Sequence, residues 1–211
     1  MADKVVDFLL SITENPYLIV LLVSMVPLIE LKGAIVIGAK LGVGFFESFA
    51  LAYLGSTLVV LAAFFLIKYV FALLKKIPFV KMLVLKVEDI IWDKAKTLAE
   101  KSRGKEETVK EKIIFYGLLV FVAIPLPLTG VWMGGAMAVF LGTKFYIAAI
   151  ALSVGNFIAG GLITLLTWIL HDYVDTVLNV LLILVLVMLA LLIIKVIVKK
   201  PNASDGDKEE K

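Results

Sequence analysis

The sequence predicts an all-α integral membrane protein built as an inverted repeat of two re-entrant helical hairpins. Each hairpin is followed by a transmembrane helix, and an amphipathic connector helix and a C-terminal transmembrane helix complete the fold. Three observations predict it: the composition, two apolar segments broken by proline and glycine, and a lysine-rich connector. Of 211 residues, 62% are hydrophobic and 18% charged, with a mean hydropathy of +1.05. Soluble domains are about half apolar and about one quarter charged, so a single membrane domain is indicated.

The N-terminal part begins with a short amphipathic stretch and continues into the first repeat. Apolar residues among charged ones indicate an interfacial helix within residues 1–15. Repeat 1 is assigned to residues 16–74. It contains a broken apolar segment at 17–39 and a spanning helix at 47–74.

The connector, residues 75–112, holds eleven basic and seven acidic residues. Its apolar residues recur at three- and four-residue steps, which predicts an amphipathic surface helix over 80–99.

Repeat 2 is assigned to residues 113–170, with a broken segment at 113–141 and a spanning helix at 145–169. A short acidic loop leads to a third span at 176–198. The charged tail, 199–211, is predicted to be disordered.

The two halves match when the sequence is shifted by 100 residues. Six identities fall within the 31 aligned positions from 26 to 56, without a gap. They are Pro27/Pro127, Leu28/Leu128, Leu41/Leu141, Gly42/Gly142, Phe45/Phe145 and Gly55/Gly155. Prolines and glycines in register predict an internal repeat.

Charge predicts the topology, because lysine-rich loops remain in the cytoplasm. If residues 113–141 crossed fully, the lysine-rich C-terminal end would lie outside. A hairpin that enters from the cytoplasm and returns keeps both the connector and the C-terminus cytoplasmic, in the cell membrane. The segment 17–39 is then a hairpin inserted from the opposite face, and the two breaks meet near the midplane.

Glu30 and Lys32 are the candidate proton- or ion-coupling residues, because charges at this depth cost about 2.5–3.5 kcal/mol and usually face a cavity or a partner. Glu30 is the only carboxylate in either break. It is a protonatable or cation-binding group, or one half of a structural ion pair. Residues two apart on a regular helix do not face each other, so a pair with Lys32 needs a broken backbone; otherwise Lys32 points elsewhere.

The other candidate residues are small, polar or proline residues at the breaks and in the spanning helices. Those expected to form the hairpin breaks and line the substrate path are Pro27, Gly33, Pro125, Pro127, Thr129 and Gly130. Thr129 offers a hydroxyl to a ligand or caps a helix. Those expected to pack the spanning helices are Gly55, Ser56, Gly155 and Asn156. Asn156 could also bond a hairpin tip, and Trp132 is assigned to packing.

Several chemistries are not expected. The chain has no cysteine and one histidine, so no metal site is predicted. No nucleophile–base set, phosphate-binding loop or carboxylate pair lies near the breaks. We therefore expect no enzyme, no cofactor and no nucleic-acid partner.

The stretches "PLIELKGAI" and "IPLPLTGVWMGGAMAVFLG" resemble the signature blocks of the small multidrug export protein family, a relative of the DedA/VTT superfamily of re-entrant-loop membrane proteins. The resemblance covers about residues 15–170. Matching positions are Pro27, Glu30, Gly33, Pro125, Pro127, Thr129 and Gly130. Departures are Lys32 for the usual arginine, which keeps the charge without the bidentate fork, Val36 for a common proline and Leu128 for the usual glycine.

The resemblance and the breaks together predict a membrane transporter. A proton-coupled secondary transporter, or a translocase for lipids of the polyprenyl-phosphate type that the superfamily implies, is favoured. The alternatives are a passive scramblase or ion channel, an exporter of cationic drugs, and a non-transporting assembly factor. Expected partners are membrane lipids, an unknown lipid or small-molecule substrate, protons or a monovalent cation, and a second copy of the chain.

Overall fold

The computed structural model describes residues 2–76, 78–126 and 129–198, and nearly all of them are helical. Within these ranges the helices are α1 (Ala2–Ile12), α2 (Pro16–Met25), α3 (Glu30–Lys40), α4 (Phe45–Leu74), α5 (Pro78–Ser102), α6 (Glu107–Ala123), α7 (Val131–Phe140), α8 (Phe145–Ile169) and α9 (Val174–Val198), with a 3-10 turn at His171–Tyr173. The all-helical fold predicted from the sequence is confirmed.

Three helices are long and apolar enough to cross a membrane. The candidate spans are Phe45–Ile67 in α4, Phe145–Ile169 in α8 and His171–Leu191, which covers most of α9. Helices α1 and α2 are bent by 106° at their junction and would add a fourth span if they cross together. The chain is therefore an integral membrane protein by length and composition.

Two parts of the chain share one order of elements: α2–α3–α4 and α6–α7–α8. The turn after α3 and the turn after α7 also share one hydrogen-bond pattern. Gly42 has φ +76° and Gly142 has φ +63°, a left-handed conformation that glycine adopts without strain. In the first turn the Val43 amide donates to the Gly38 carbonyl at 2.9 Å, and in the second the Thr143 amide donates to Ala138 at 3.0 Å. The 100-residue shift in the sequence thus relates equivalent turns.

Each pair of short helices doubles back on itself. A Cβ built on Gly38, near the end of α3, would lie 2.9 Å from Val20 Cγ2, in the middle of α2. In the other pair, Lys144 Nζ, just beyond α7, lies 2.6 Å from Glu111 Oε1 in the first turns of α6. In each pair the end of the second helix therefore lies beside the first helix.

The two helix pairs open toward opposite ends of the bundle. Helices α4 and α8 run antiparallel, because Phe49 packs on Phe157 at 5.2 Å while Phe65 packs on Phe145 at 4.8 Å. Lys40, the last residue of α3, lies at the end of the bundle where α4 begins, and it contacts both Asp3 and Asp175. The Lys144–Glu111 contact lies at the start of α8, which is the other end.

The connector contains α5, which includes the helix predicted over 80–99 and extends beyond it at both ends. Its buried side chains Val84, Ile90, Ile91 and Ala95 face the bundle. The helix ends before Gly104, whose φ of +70° suits the turn.

Some helices begin earlier than the apolar segments do. Helix α6 begins at Glu107, so residues 107–112, which the sequence places in the connector, are continuous with the helix that leads to the second break. The reason is that a helix can extend past the apolar stretch when an acidic residue lies in its first turn. The acidic loop is a 3-10 turn, and α9 begins at Val174 rather than 176. The tail at 199–211 lies outside the described residues.

Candidate functional site

The first break lies between α2 and α3 and has an unusual backbone. Leu28 has φ +76° and Glu30 has φ +51°, a region that costs a residue with a side chain about 1–3 kcal/mol. Pro27 cannot donate a backbone hydrogen bond and keeps Val26 extended, with ψ 127°. The chain re-forms a helix at once, because the Glu30 amide donates to the Val26 carbonyl at 2.9 Å. The break therefore sets Glu30 at the start of α3 in an orientation that a continuous helix would not give.

The Glu30 carboxylate lies at the start of α7, in the other repeat. Its Oε1 accepts from the Trp132 backbone N–H at 3.4 Å, where the helix dipole and free N–H groups favour a negative charge. Its Oε2 lies 3.7 Å from Lys32 Nζ, and the two side chains are 8% and 9% exposed. Glu30 and Lys32 thus form a buried ion pair, which the broken backbone permits.

Lys32 also reaches the second break. Its Nζ donates to the Leu126 carbonyl at 2.6 Å and lies 3.4 Å from Thr129 Oγ1. The Thr129 hydroxyl is 2.7 Å from the carbonyls of both Ile124 and Leu126, and its one proton can go to only one of them at a time. Lys32 therefore pairs with Glu30, and the same ammonium group also donates to a carbonyl of the second break.

Thr129 does not cap the helix that follows it. The cap position of α7 is Gly130, without a side-chain hydrogen bond. The hydroxyl instead satisfies carbonyls that the break frees from helical hydrogen bonding. The charges of Glu30 and Lys32 are thus matched to opposite helix ends, the start of α7 and the end of α6.

Trp132 mirrors Lys32 and is the residue that the sequence reasoning missed. Its indole Nε1–H donates at 3.2 Å to the carbonyl of Met25, the last residue of α2. Lys32 and Trp132 are 100 residues apart, and each donates a side-chain N–H to a carbonyl at the break of the other repeat. The signal was present, because the 100-residue shift aligns position 132 with Lys32, but tryptophan and lysine share no charge or shape.

Gly130 makes room for Glu30. A Cβ built on Gly130 would lie 1.4 Å from Glu30 Oε2, a distance that no non-bonded atoms adopt. The repeat aligns Gly130 with Glu30 itself, so one repeat provides the carboxylate and the other provides the space for it.

The crossing of α4 and α8 is polar and close. The Asn156 Nδ2–H donates to Ser56 Oγ at 2.6 Å, and the Ser56 hydroxyl lies 2.8 Å from the Ala52 carbonyl. Asn156 therefore bonds Ser56, the residue that the 100-residue shift aligns with it.

Gly55 and Gly155 bring the long helices against the first helix of each pair. A Cβ on Gly55 would lie 2.5 Å from the Leu21 carbonyl oxygen in α2, and one on Gly155 would lie 2.6 Å from that of Leu119 in α6. Both glycines thus permit backbone contact at equivalent places. The close helix packing that the sequence predicts at Gly55 and Gly155 is therefore the packing of α4 on α2 and of α8 on α6.

The remaining predicted break residues take different places. A Cβ on Gly33 would meet Ile29 Cγ2 at 2.4 Å, so this glycine allows the tight turn into α3. Pro125 lines a cavity beside Lys32. Pro127 lies outside the described residues.

That cavity has a volume of about 460 Å³ and extends from Lys32 along α8 and α9. Its walls are mainly apolar, and Lys32 is the charged side chain that reaches it. Its lining includes Leu28, Lys32, Pro125, Thr167, Tyr173 and Leu181. A cavity of this kind can hold an apolar or amphipathic molecule next to a buried charge.

Metal binding has no visible donor set in the described ranges. No group of three or more His, Asp or Glu side chains lies close enough there to hold an ion. The Glu30 carboxylate and the Lys32 ammonium group are of a kind that can exchange a proton or hold a small ion. Among the described residues of the two breaks, no nucleophilic side chain is paired with a base.

The fold and site define a class: an all-helical membrane protein in which two broken helical segments meet at a buried ion pair. A family model described as "Putative small multi-drug export protein" matches residues 30–163. The chain belongs to this family. No curated protein and no solved structure matches the chain. The family description agrees with a membrane transporter.

Proposed function

We propose that the chain is a secondary transporter whose coupling site is the Glu30–Lys32 pair. The observation that carries the proposal is that this buried pair joins both breaks and borders the cavity of about 460 Å³. Buried charges in a membrane are costly and usually serve a substrate or ion path. A transporter needs such a charge beside a substrate cavity, and the two lie together here.

The architecture belongs to the same proposal. We infer that α2–α3 and α6–α7 are re-entrant hairpins inserted from opposite faces, in the domain limits given by the sequence. The doubling back of each pair and their opening toward opposite ends support this. Discontinuous helices around a midplane site are typical of inverted-repeat transporters, and broken backbone at that depth must be buried in protein or line a cavity.

In this mechanism Glu30 is the exchangeable acid. When Glu30 takes a proton, its attraction to Lys32 and to the start of α7 weakens. The contact between the two breaks then loosens, because the Glu30–Trp132 bond depends on the negative charge. Loss of the proton restores the contact, so protonation and the joining of the two repeats are linked.

The substrate class follows from the cavity walls. Mainly apolar walls with one cationic end favour an amphipathic molecule, which includes lipids of the type that the family's relatives imply. A cationic drug would need Glu30, which lies behind Lys32, so the exporter alternative requires that Lys32 move. A passive scramblase or channel would need the same substrate path without proton coupling. An assembly factor would need neither a substrate path nor proton coupling.

We also propose the orientation. The lysine-rich connector with α5 lies in the cytoplasm of the cell, together with the C-terminal end of α9. Membrane lipids and protons or a monovalent cation are the proposed partners.

The test is transport by Glu30→Gln in proteoliposomes with an imposed pH gradient. The amide matches the size of the acid but cannot exchange a proton, so we expect movement of a labelled lipid carrier and of a cationic dye to fall to the level of protein-free vesicles. The control is Glu47→Gln, since Glu47 is exposed at the start of α4. If Glu30→Gln folds and transports with unchanged pH dependence, the coupling role is wrong. If the natural chain moves neither substrate and only dissipates the gradient, it is a channel.

A further inference from the structure

A second cavity lies where α5 ends, α6 begins and α7 ends. Its volume is about 360 Å³. It is at the far end of α7 from Glu30, about 15 Å along the axis at 1.5 Å per residue. It therefore belongs to a different site from the ion pair.

The rim of this cavity is positively charged. Arg103, Lys105 and Lys110 line it, against the single acid Glu107. In the described part of the chain these three basic side chains have no ion-pair partner within 4.0 Å, and the nearby Glu111 is paired with Lys144 instead. The start of α6 adds free N–H groups, because its cap residue makes no side-chain hydrogen bond.

The inner wall of the cavity is apolar. Ile114, Phe140 and Leu141 form part of it, and Trp92 lies at its edge with 45% of its surface exposed. Tryptophan is enriched where a membrane meets water, because the ring is apolar and its N–H is polar. A basic rim over an apolar wall, beside an interfacial tryptophan, matches a lipid with an anionic headgroup.

We propose that this cavity binds an anionic phospholipid of the leaflet on the α5 side. The phosphate lies among Arg103, Lys105 and Lys110, and an acyl chain runs past Trp92 along the apolar wall. Basic pockets at helix junctions bind lipid headgroups in this way. The site lies between α5 of the connector and the helices α6 and α7 of the second pair. The proposal does not depend on the proposed transport function.

The test is thermal unfolding of the full chain in detergent, titrated with phosphatidylglycerol, with phosphatidylcholine and with inorganic phosphate. We expect saturable stabilisation by phosphatidylglycerol alone. In a variant with R103Q, K105Q and K110Q the apparent affinity should be about 150-fold weaker, since each of the three basic side chains contributes about 1 kcal/mol near an anionic surface and each 1.4 kcal/mol is about tenfold in affinity. The control carries K76Q, K96Q and K101Q, which changes the charge equally at exposed positions outside the cavity.

Three outcomes would overturn the proposal. Equal stabilisation by phosphatidylcholine would mean that the anionic headgroup is not recognised. An equal loss of affinity in the control variant would mean that the lipid is attracted by the overall positive charge and not by this cavity. Stabilisation by inorganic phosphate at the same concentrations would assign the site to a soluble anion. If the triple variant does not fold, Lys105→Gln alone replaces it, with a smaller weakening expected.

Discussion

Gly130 in the second break lies against the carboxylate of Glu30 in the first break. Gly130 has φ −92° and ψ −167°, which alanine adopts without strain, so Gly130→Ala tests only the added methyl group. Because that Cβ would overlap Glu30 Oε2, we expect the carboxylate to leave the start of α7. The expected result is about 1–3 kcal/mol lower stability and loss of proton-linked transport, measured by unfolding and by proteoliposome assay.

The control for this change is Gly135→Ala on the same helix, where the nearest atom to the new Cβ is 3.9 Å away. It should leave both measurements nearly unchanged. In a Glu30→Ala background, Gly130→Ala should cost much less stability than alone. Additive effects would show that the two residues do not compete for one space.

Trp132 supplies the second cross-repeat donor, and Trp132→Phe removes it while keeping an aromatic ring. The Met25 carbonyl then loses its side-chain partner, so we expect a loss of about 1–3 kcal/mol in the free energy of unfolding. Unfolding in mixed micelles measures it. The matched control is Trp168→Phe, where the side chain is 62% exposed. Equal effects in the two variants would contradict a hydrogen-bonding role for Trp132.

At this scale the sequence identified the residues that carry charge or break a helix, and missed those whose role depends on a distant partner. Glu30 and Lys32 were visible because charge in an apolar segment is costly. Trp132 was not visible, because an indole donor among apolar residues is indistinguishable from packing. The bond from Asn156 to Ser56 was likewise not visible, because it depends on how α4 and α8 cross.

Helices α6 and α7 form a hairpin only if the start of α6 remains close to the end of α7. The variant Glu111→Cys with Lys144→Cys should cross-link through a short bifunctional thiol reagent, because the natural side chains meet at 2.6 Å. The product is measured as a mobility shift after proteolysis within the break. The chain has no natural cysteine to interfere.

The matched control pairs Glu111→Cys with Asp172→Cys, at the other end of the bundle, and should not cross-link. Cross-linking in the control but not in the test pair would contradict the doubling back of α6 and α7. Neutral pH is suitable for the experiment. The Glu111 carboxylate beside Lys144 raises the pKa of that lysine, so the natural contact is formed at neutral pH and is lost as the pH rises through the raised value.

Element type was easier to predict than element limits. The proline and glycine breaks follow from local backbone preference, so the sequence predicts them to within a few residues. The start of α6 was not predicted, because a helix that leaves the apolar layer continues into polar sequence. No change in hydropathy marks that start.

The arrangement of the whole chain in the membrane can be tested by labelling. We expect cysteine at Lys144→Cys to react with an impermeant thiol reagent from the cytoplasmic face, and cysteine at Asp172→Cys to react from outside. The physical reason is that α8 joins the two positions and is long enough to span. Labelling is measured on intact cells and on inverted vesicles.

Unlabelled cells treated after lysis provide the control for accessibility. Reaction of both cysteines from one face would mean that α8 does not cross, and the re-entrant interpretation of the second half would fail with it. Reaction from reversed faces would keep the fold and invert the proposed orientation.

The all-helical membrane class could be predicted because composition and hydropathy act over long stretches of the chain. The contacts between halves could not, since they depend on how two repeats face each other. Within repeat 1 the shift marks Pro27 and Gly55, but nothing in it says that Glu30 faces Trp132.

The reciprocal contacts of Lys32 and Trp132 bear on how such a chain could arise by gene duplication. Two identical halves would place glutamate at both 30 and 130, where the second would occupy the space that the first needs. Two copies of the first half therefore could not assemble this centre, because it needs a carboxylate at position 30 and a residue without a side chain at position 130. The two halves supply unlike parts of one buried contact.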